Sequence, residues 1–166
     1  MASAADAHVI AEILTEAFEG YRAWATPDWS PPPRDGEEAF LAPALSRSDV
    51  WFLLAFARGK AAGHVGLSPF TMVQQEPPPA GTINLWQLFV RPRWQGSGLA
   101  PRLMRAAEAE ARRRGFTRMR LWTPRDAPRA RRFYEREGWT TTGDTHGSAA
   151  VGLPVVQYAR ELADAR

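Results

Sequence analysis

Cysteine is absent from this 166-residue chain, and lysine occurs once, at Lys60. Without thiols there is no disulfide, no thiolate metal site and no cysteine nucleophile. Histidine is scarce too. His8, His64 and His146 lie far apart with no ligand spacing, so no metal site is expected. No apolar run approaches the ~20 residues of a membrane-spanning helix. The N-terminus MASAADAHVI lacks the basic and apolar regions of a secretory leader. These absences predict a cytoplasmic domain with no membrane contact. What is abundant is core material: 45% of residues are hydrophobic, which excludes a wholly disordered chain. The length suits one domain, 1–166.

Charge is unevenly placed. Residues 1–90 carry a net −5, residues 91–137 a net +9 with 14 arginines, and residues 138–166 a net −1. A preference for arginine codons explains why 20 of the 21 basic residues are arginine, but not why they cluster. A basic middle in an acidic chain predicts a polyanionic partner docked at one place. A phosphate-rich cofactor and a nucleic acid both meet that description.

Periodicity supplies the elements. Val9, Ile10, Ile13, Leu14, Ala17, Phe18 and Tyr21 form one helical stripe over 6–21. A proline-rich loop with Trp24 and Trp29 follows. Asp35, Glu37 and Glu38 open a second helix, which Pro43 shortens or kinks. Residues 51–57 and 62–70 read as a hairpin around Arg58-Gly59-Lys60, and 82–90 (TINLWQLFV) as a long strand. A helix over 99–114 follows a glycine-bearing turn. A strand over 118–122 precedes a helix capped by Asp126 and ending at Gly138. Strands over 139–142 and 151–158 close the chain. The order predicts an α/β domain with a mixed sheet.

The unit from Leu85 to Arg114 carries the strongest chemical signal. Gly96 and Gly98 permit positive φ and close backbone approach, and the following helix offers unpaired N–H groups. Together these make a pyrophosphate cradle. There is no Gly-Lys-Ser/Thr of a Walker loop, and Pro101 stands where a dinucleotide fingerprint needs its third glycine.

Gln95-x-x-Gly98-x-Ala100 resembles the Gln/Arg-x-x-Gly-x-Gly/Ala signature of the GCN5-related N-acetyltransferases, the GNAT superfamily. Phe133-Tyr134-Glu135-Arg136-Glu137-Gly138-Trp139 is similar to that family's Phe-Tyr-x-x-x-Gly-Phe helix ending. The resemblance covers about 82–142 by motif and the rest by element order. It implies a single-domain, mostly antiparallel central sheet flanked by helices and splayed beside the fourth strand. It implies acetyl-CoA as cofactor, with the pantetheine arm along Leu88, Phe89 and Val90. The diphosphate would lie on Gln95, Gly96, Ser97, Gly98, Leu99 and Ala100. It implies Tyr134 as the acid that protonates the departing thiolate. A tyrosine suits that role because a free phenol, with a pKa of about 10, is protonated at neutral pH. Ala127 stands where many relatives have a cofactor-contacting asparagine, so that contact is lost or passes to Asp126 or Arg129.

No carboxylate occupies the two strands where relatives often place a general base. His64, Asp28 and Glu76 are the alternatives, or the amine arrives partly neutral with water taking its proton. Trp24, Trp29, Trp86 and Gln87, with His146 further along, are candidates for the acceptor side. Trp51, Trp122 and Trp139 are expected in the core. The resulting expectation is an enzyme that acetylates a primary amine of a small molecule or peptide by direct transfer, no cysteine being present to carry an acetyl group. Protein N-terminal or lysine acetylation, a silent acyl-CoA-binding module and a nucleic-acid module are the competing readings. The last is disfavoured because the arginines fall where CoA phosphates would bind. A homodimer is left open.

Overall fold

The computed structural model describes residues 1–70, 77–148 and 150–162. Glu76 therefore lies outside the described residues. The elements follow the expected order: α1 (Ala7–Glu19), α2 (Arg34–Leu45), β1 (Trp51–Ala57), β2 (Lys60–Ser68), β3 (Thr82–Val90), α3 (Leu99–Arg113), β4 (Arg118–Pro124), α4 (Pro128–Arg136), β5 (Thr140–Ser148) and β6 (Leu153–Glu161). α2 keeps Pro43 inside its last turn.

Several boundaries shift by a few residues from expectation, and two of the differences have a clear physical reason. β5 runs to Ser148 although almost every residue in it is exposed. It is an edge strand held by backbone pairing to β6, so it has no apolar alternation to read. The N-cap of α4 is Ala127, not Asp126. The Asp126 carboxylate instead pairs with Arg125 at 3.2 Å, and Pro128 starts the helix by fixing φ.

The six strands form one sheet in the order β1-β2-β3-β4-β6-β5. All neighbours are antiparallel except β3 and β4. Neighbouring residues Trp51 and Phe52 on β1 point to different faces and join different clusters. One cluster packs Leu103, Met104 and Ala107 of α3 against Val65, Leu67 and Leu85. The other packs Ile10 of α1 and Leu41 of α2 against Phe52. Helices thus cover both faces, as a sheet with two apolar sides requires.

The parallel pair is short. β3 and β4 are paired only through Thr82–Arg118, Ile83–Met119 and Asn84–Arg120. Past that point β3 stays bonded to β2 and β4 to β6. The sheet therefore opens into a V between residues 85–90 and 121–124, and both facing strand edges are left unpaired. The Arg120 Nε donates to Asn84 Oδ1 at 2.7 Å, a buried bond at the apex of the opening.

Candidate active site

The V holds a cavity of about 750 Å³, lined by both open strand edges, by α1, α4 and the turn before α3. The glycine turn contributes Gly96 and Gly98 to the lining. Gly96 and Gly98 have φ of 81° and 80°, a region that costs other residues roughly 1–2 kcal/mol. Gly98 is the N-cap of α3. A Cβ on either glycine would meet nothing within 4 Å, so conformation, not crowding by the protein, calls for glycine.

The donor set of this turn is narrower than its sequence suggests. The N–H groups of Gln95 and Ser97 donate to the carbonyls of Pro92 and Trp94 at 3.1 and 3.3 Å. Gln95 Nε2 donates to Val90 O at 3.3 Å, and Ser97 Oγ to Trp94 O at 2.6 Å. These two residues brace the turn. Gly96 and Gly98 donate to no backbone carbonyl among the described residues. Leu99 and Ala100 add the open first-turn amides of α3. Pro101 lines the cavity and adds no N–H. Four amides and a helix dipole remain for an anion.

The arginines need a similar correction. Most of the 14 in 91–137 are committed to the protein itself. Arg91 is buried and grips Glu16 and Glu12 of α1 and the Ala61 carbonyl. Arg112, Arg113 and Arg114 pair with Glu108 and Glu110 along α3. Arg118 pairs with Glu161. Arg129, Arg132 and Arg136 of α4 line the cavity. The charge cluster is thus mainly an internal ion-pair lattice, with three arginines lining the site. Of the two residues considered for the missing asparagine contact, Arg129 lines the cavity and Asp126 does not.

Tyr134 of α4 lines the same cavity. Phe133, Trp139 and Tyr158 fix its ring at centroid distances of 5.3, 6.1 and 6.1 Å. Burial pushes its phenol well above the usual tyrosine range, so it stays protonated at neutral pH. Tyr21, just after α1, lines the same cavity. Its phenol is raised chiefly by burial and further by the electrostatic influence of Tyr134, so the two hydroxyls share one microenvironment. In the sequence Tyr21 belongs to an apolar stripe, which hides this second role.

Tyr21, Trp24, Trp86, Gln87 and Glu37 also line the cavity. Trp86 is boxed edge-on by Phe40 and Phe52 and tilted against Phe70, with centroids 5.6, 5.3 and 5.5 Å away. Trp24 packs on Tyr21 at 4.7 Å. Trp29 does not reach the cavity. It is buried, and its Nε1 donates to Val151 O at 2.8 Å, tying the α1–α2 loop to the β5–β6 turn. Trp29→Phe is expected to lower stability by about 1–3 kcal/mol through the lost bond and volume, measurable by denaturant unfolding. Trp122, expected in the core, lines the cavity instead. Its ring stands edge-on to His146 at 4.4 Å, and His146 itself is not part of the lining.

Of the base candidates, His64 is fully buried behind β3 and outside the cavity. Its Nε2 bonds Gln87 Oε1 at 2.9 Å, and burial depresses its pKa to about 4. Asp28 is exposed and absent from the lining. Glu37 is the one carboxylate among the described lining residues. It is 6% exposed, and its Oε2 is buried without a hydrogen-bond partner.

A splayed mixed sheet, an amide cradle at the head of a helix and a buried phenol in one cleft define an acyl-CoA-dependent transferase. Residues 10–139 match the description "Acetyltransferase (GNAT) family", and the chain belongs to that family. The family uses acetyl-CoA. Solved structures share the fold. PaiA N-acetyltransferase from Thermoplasma acidophilum, in complex with coenzyme A, is 21% identical with a TM-score of 0.72, over 96% of this chain and 95% of that one. An N-acetyltransferase from Staphylococcus aureus Mu50 is 18% identical with a TM-score of 0.73, over 98% and 96%. The ribosomal-protein-S18-alanine N-acetyltransferase from Escherichia coli is 17% identical with a TM-score of 0.66, over 98% and 91%. No match was found among curated protein sequences. No helix among the described residues is long and apolar enough to cross a membrane.

The residues present fit the cofactor. The four amides and the positive end of α3 suit a diphosphate, and the three arginines of α4 suit further phosphate charge. The open edge of β3 suits the amides of an extended pantetheine arm.

Proposed function

We propose that the protein is an N-acetyltransferase that moves an acetyl group from acetyl-CoA to a primary amine of a small molecule or peptide, directly, within a ternary complex. The observation that carries this is the continuity of the cavity. Amides at the head of α3, three arginines, a buried phenol, aromatic side chains and, among the described residues, a single carboxylate line one cleft. With no cysteine in the chain, no thiol can hold the acetyl group between two half-reactions.

Acetyl-CoA supplies an acetyl thioester. Gly96, Gly98, Leu99 and Ala100 fix the diphosphate, while Leu88, Phe89 and Val90 align the arm along β3. Both contacts position the thioester without touching the reacting bond. Tyr134 donates its proton to sulfur as the C–S bond breaks. Incubation with acetyl-CoA and a panel of amines, reading thiol release and the acetylated product by mass, tests the proposal. A panel in which no amine gives thiol release would refute it.

The amine must be neutral when it attacks. His64 is buried outside the cavity and is held neutral by a depressed pKa, so it is not placed to take the amine's proton. The proton leaves to water. Rates should therefore climb with pH toward the pKa of each acceptor, and differ between acceptors of different basicity. One inflection at pH ~6–7 shared by every acceptor would point instead to an enzyme histidine.

A further inference from the structure

We infer that Glu37 is the anchor for the acceptor's cationic nitrogen, and that the acceptor is a small amine with an apolar or aromatic body. This rests on the transfer reaction proposed above, and it specifies the acceptor side of the same cavity.

The starting observation is an unsatisfied charge. Glu37 sits in the first turn of α2 with its side chain turned into the protein, and Glu37, Leu41 and Ala44 form the buried face of that helix. A carboxylate on such a face is costly unless it gains a partner. None is provided among the described residues: Oε2 is buried and unbonded, and no charged side chain there offsets the cost of burial. Burial alone raises the carboxyl above its usual range. Glu37 lines the cavity, so a cation bound there would supply the missing partner. The arginines lining the cavity, Arg129, Arg132 and Arg136, are all on α4.

The surroundings define the rest of the ligand. Tyr21, Trp24 and Trp86 line the same cavity, and their faces suit both an apolar body and a nearby cation. A flexible polypeptide is a poorer occupant. Trp29 ties the α1–α2 loop to Val151, and Gly152 lies against the same indole, closing the gap between the two loops at that point. Among the described residues the cavity lining holds one carboxylate, Glu37, and three guanidinium groups, all on α4. An ammonium is drawn to the first and a polyphosphate to the others. The ammonium held by Glu37 releases a proton before attack, and the neutral amide product cannot re-form the ion pair, so the product is held less tightly than the substrate.

The test uses the full chain and two probes with the same body, 2-phenylethylamine and 2-phenylethanol, titrated by tryptophan fluorescence. The wild type should bind the amine at least ~30-fold more tightly than the alcohol, the lower range for losing one partner of a buried charge pair. Glu37→Gln should reduce that preference to a few-fold, raise KM for the amine and leave the thermal shift by acetyl-CoA intact. N-acetyl-2-phenylethylamine should bind about as weakly as the alcohol. Equal binding of amine and alcohol by the wild type, or an undiminished preference in Glu37→Gln, overturns the anchor. The wild-type comparison needs no variant to fold. Absence of thiol release with every amine, beside an intact amine preference, would refute the transfer reaction and leave the anchor standing.

Discussion

Tyr134→Phe is expected to slow the chemical step by roughly 10²-fold, near the lower end of what a positioned general acid contributes. The substitution keeps the ring and its contacts with Phe133, Trp139 and Tyr158 and removes only the hydroxyl. Cofactor affinity should hardly change, because the amides that take the diphosphate belong to another element. Two physical facts set the magnitude. Burial raises this phenol's pKa, which secures the proton at neutral pH but makes it harder to give away. A thiolate is also a good leaving group and asks less of its acid than an amine or alkoxide would. The neighbouring phenol of Tyr21 shares the same pocket of low dielectric, so it is the group placed to supply part of the residual rate. Single-turnover measurement isolates the step from product release, which steady-state kinetics would confound. Equal single-turnover rates in wild type and variant would remove Tyr134 from the chemistry and leave it as a core aromatic. The double variant Tyr21→Phe with Tyr134→Phe should then be slower than either alone, if both phenols deliver protons.

How much of this was legible in the sequence depended on whether a residue's role is local. The cradle is a local feature: a strand, two glycines and an amphipathic helix lie within the 32 consecutive residues 82–113, and each has its own signal. The order of all ten elements was legible for the same reason. Glu37 was not, although its spacing with Leu41 and Ala44, at four and seven residues, puts it on the buried face of α2. In the sequence it reads as one of three acids at a helix start, where a solvated side chain favours the dipole. Only the approach of α2 to β3 makes it a buried charge. Trp29 and Trp24 show the same limit. They lie five residues apart in one proline-rich loop, yet one is a buried tie to Val151 and the other a cavity wall. The arginine cluster misled in the opposite direction. Its density suggested a docking surface, but Glu108, Glu110, Glu16 and Glu161 neutralise much of it within the fold. Net charge along a sequence does not show which cations already have partners.

Gly98→Glu should abolish the stabilisation that CoA or acetyl-CoA gives the wild type. At a ligand concentration 100 times Kd, a folded-state ligand adds about 2.7 kcal/mol, which for a chain of this size raises Tm by roughly 5–11 °C. The glutamate brings a negative charge and bulk to the head of α3, where the amides of Gly96, Gly98, Leu99 and Ala100 converge. It also forces a side-chain-bearing residue to φ 80°, so the unliganded variant should lose roughly 1–2 kcal/mol of its own stability. Gly98→Ala separates these effects. Its methyl group carries the same backbone strain, meets no protein atom within 4 Å and adds no charge. The alanine variant should therefore melt lower than the wild type by a similar margin while keeping most of its response to CoA. The glutamate variant should lose stability and response together. If both variants lose the response equally, backbone geometry alone governs the cradle. If Gly98→Glu binds acetyl-CoA as tightly as the wild type, the diphosphate lies elsewhere, and the three arginines of α4 become the place to look for it.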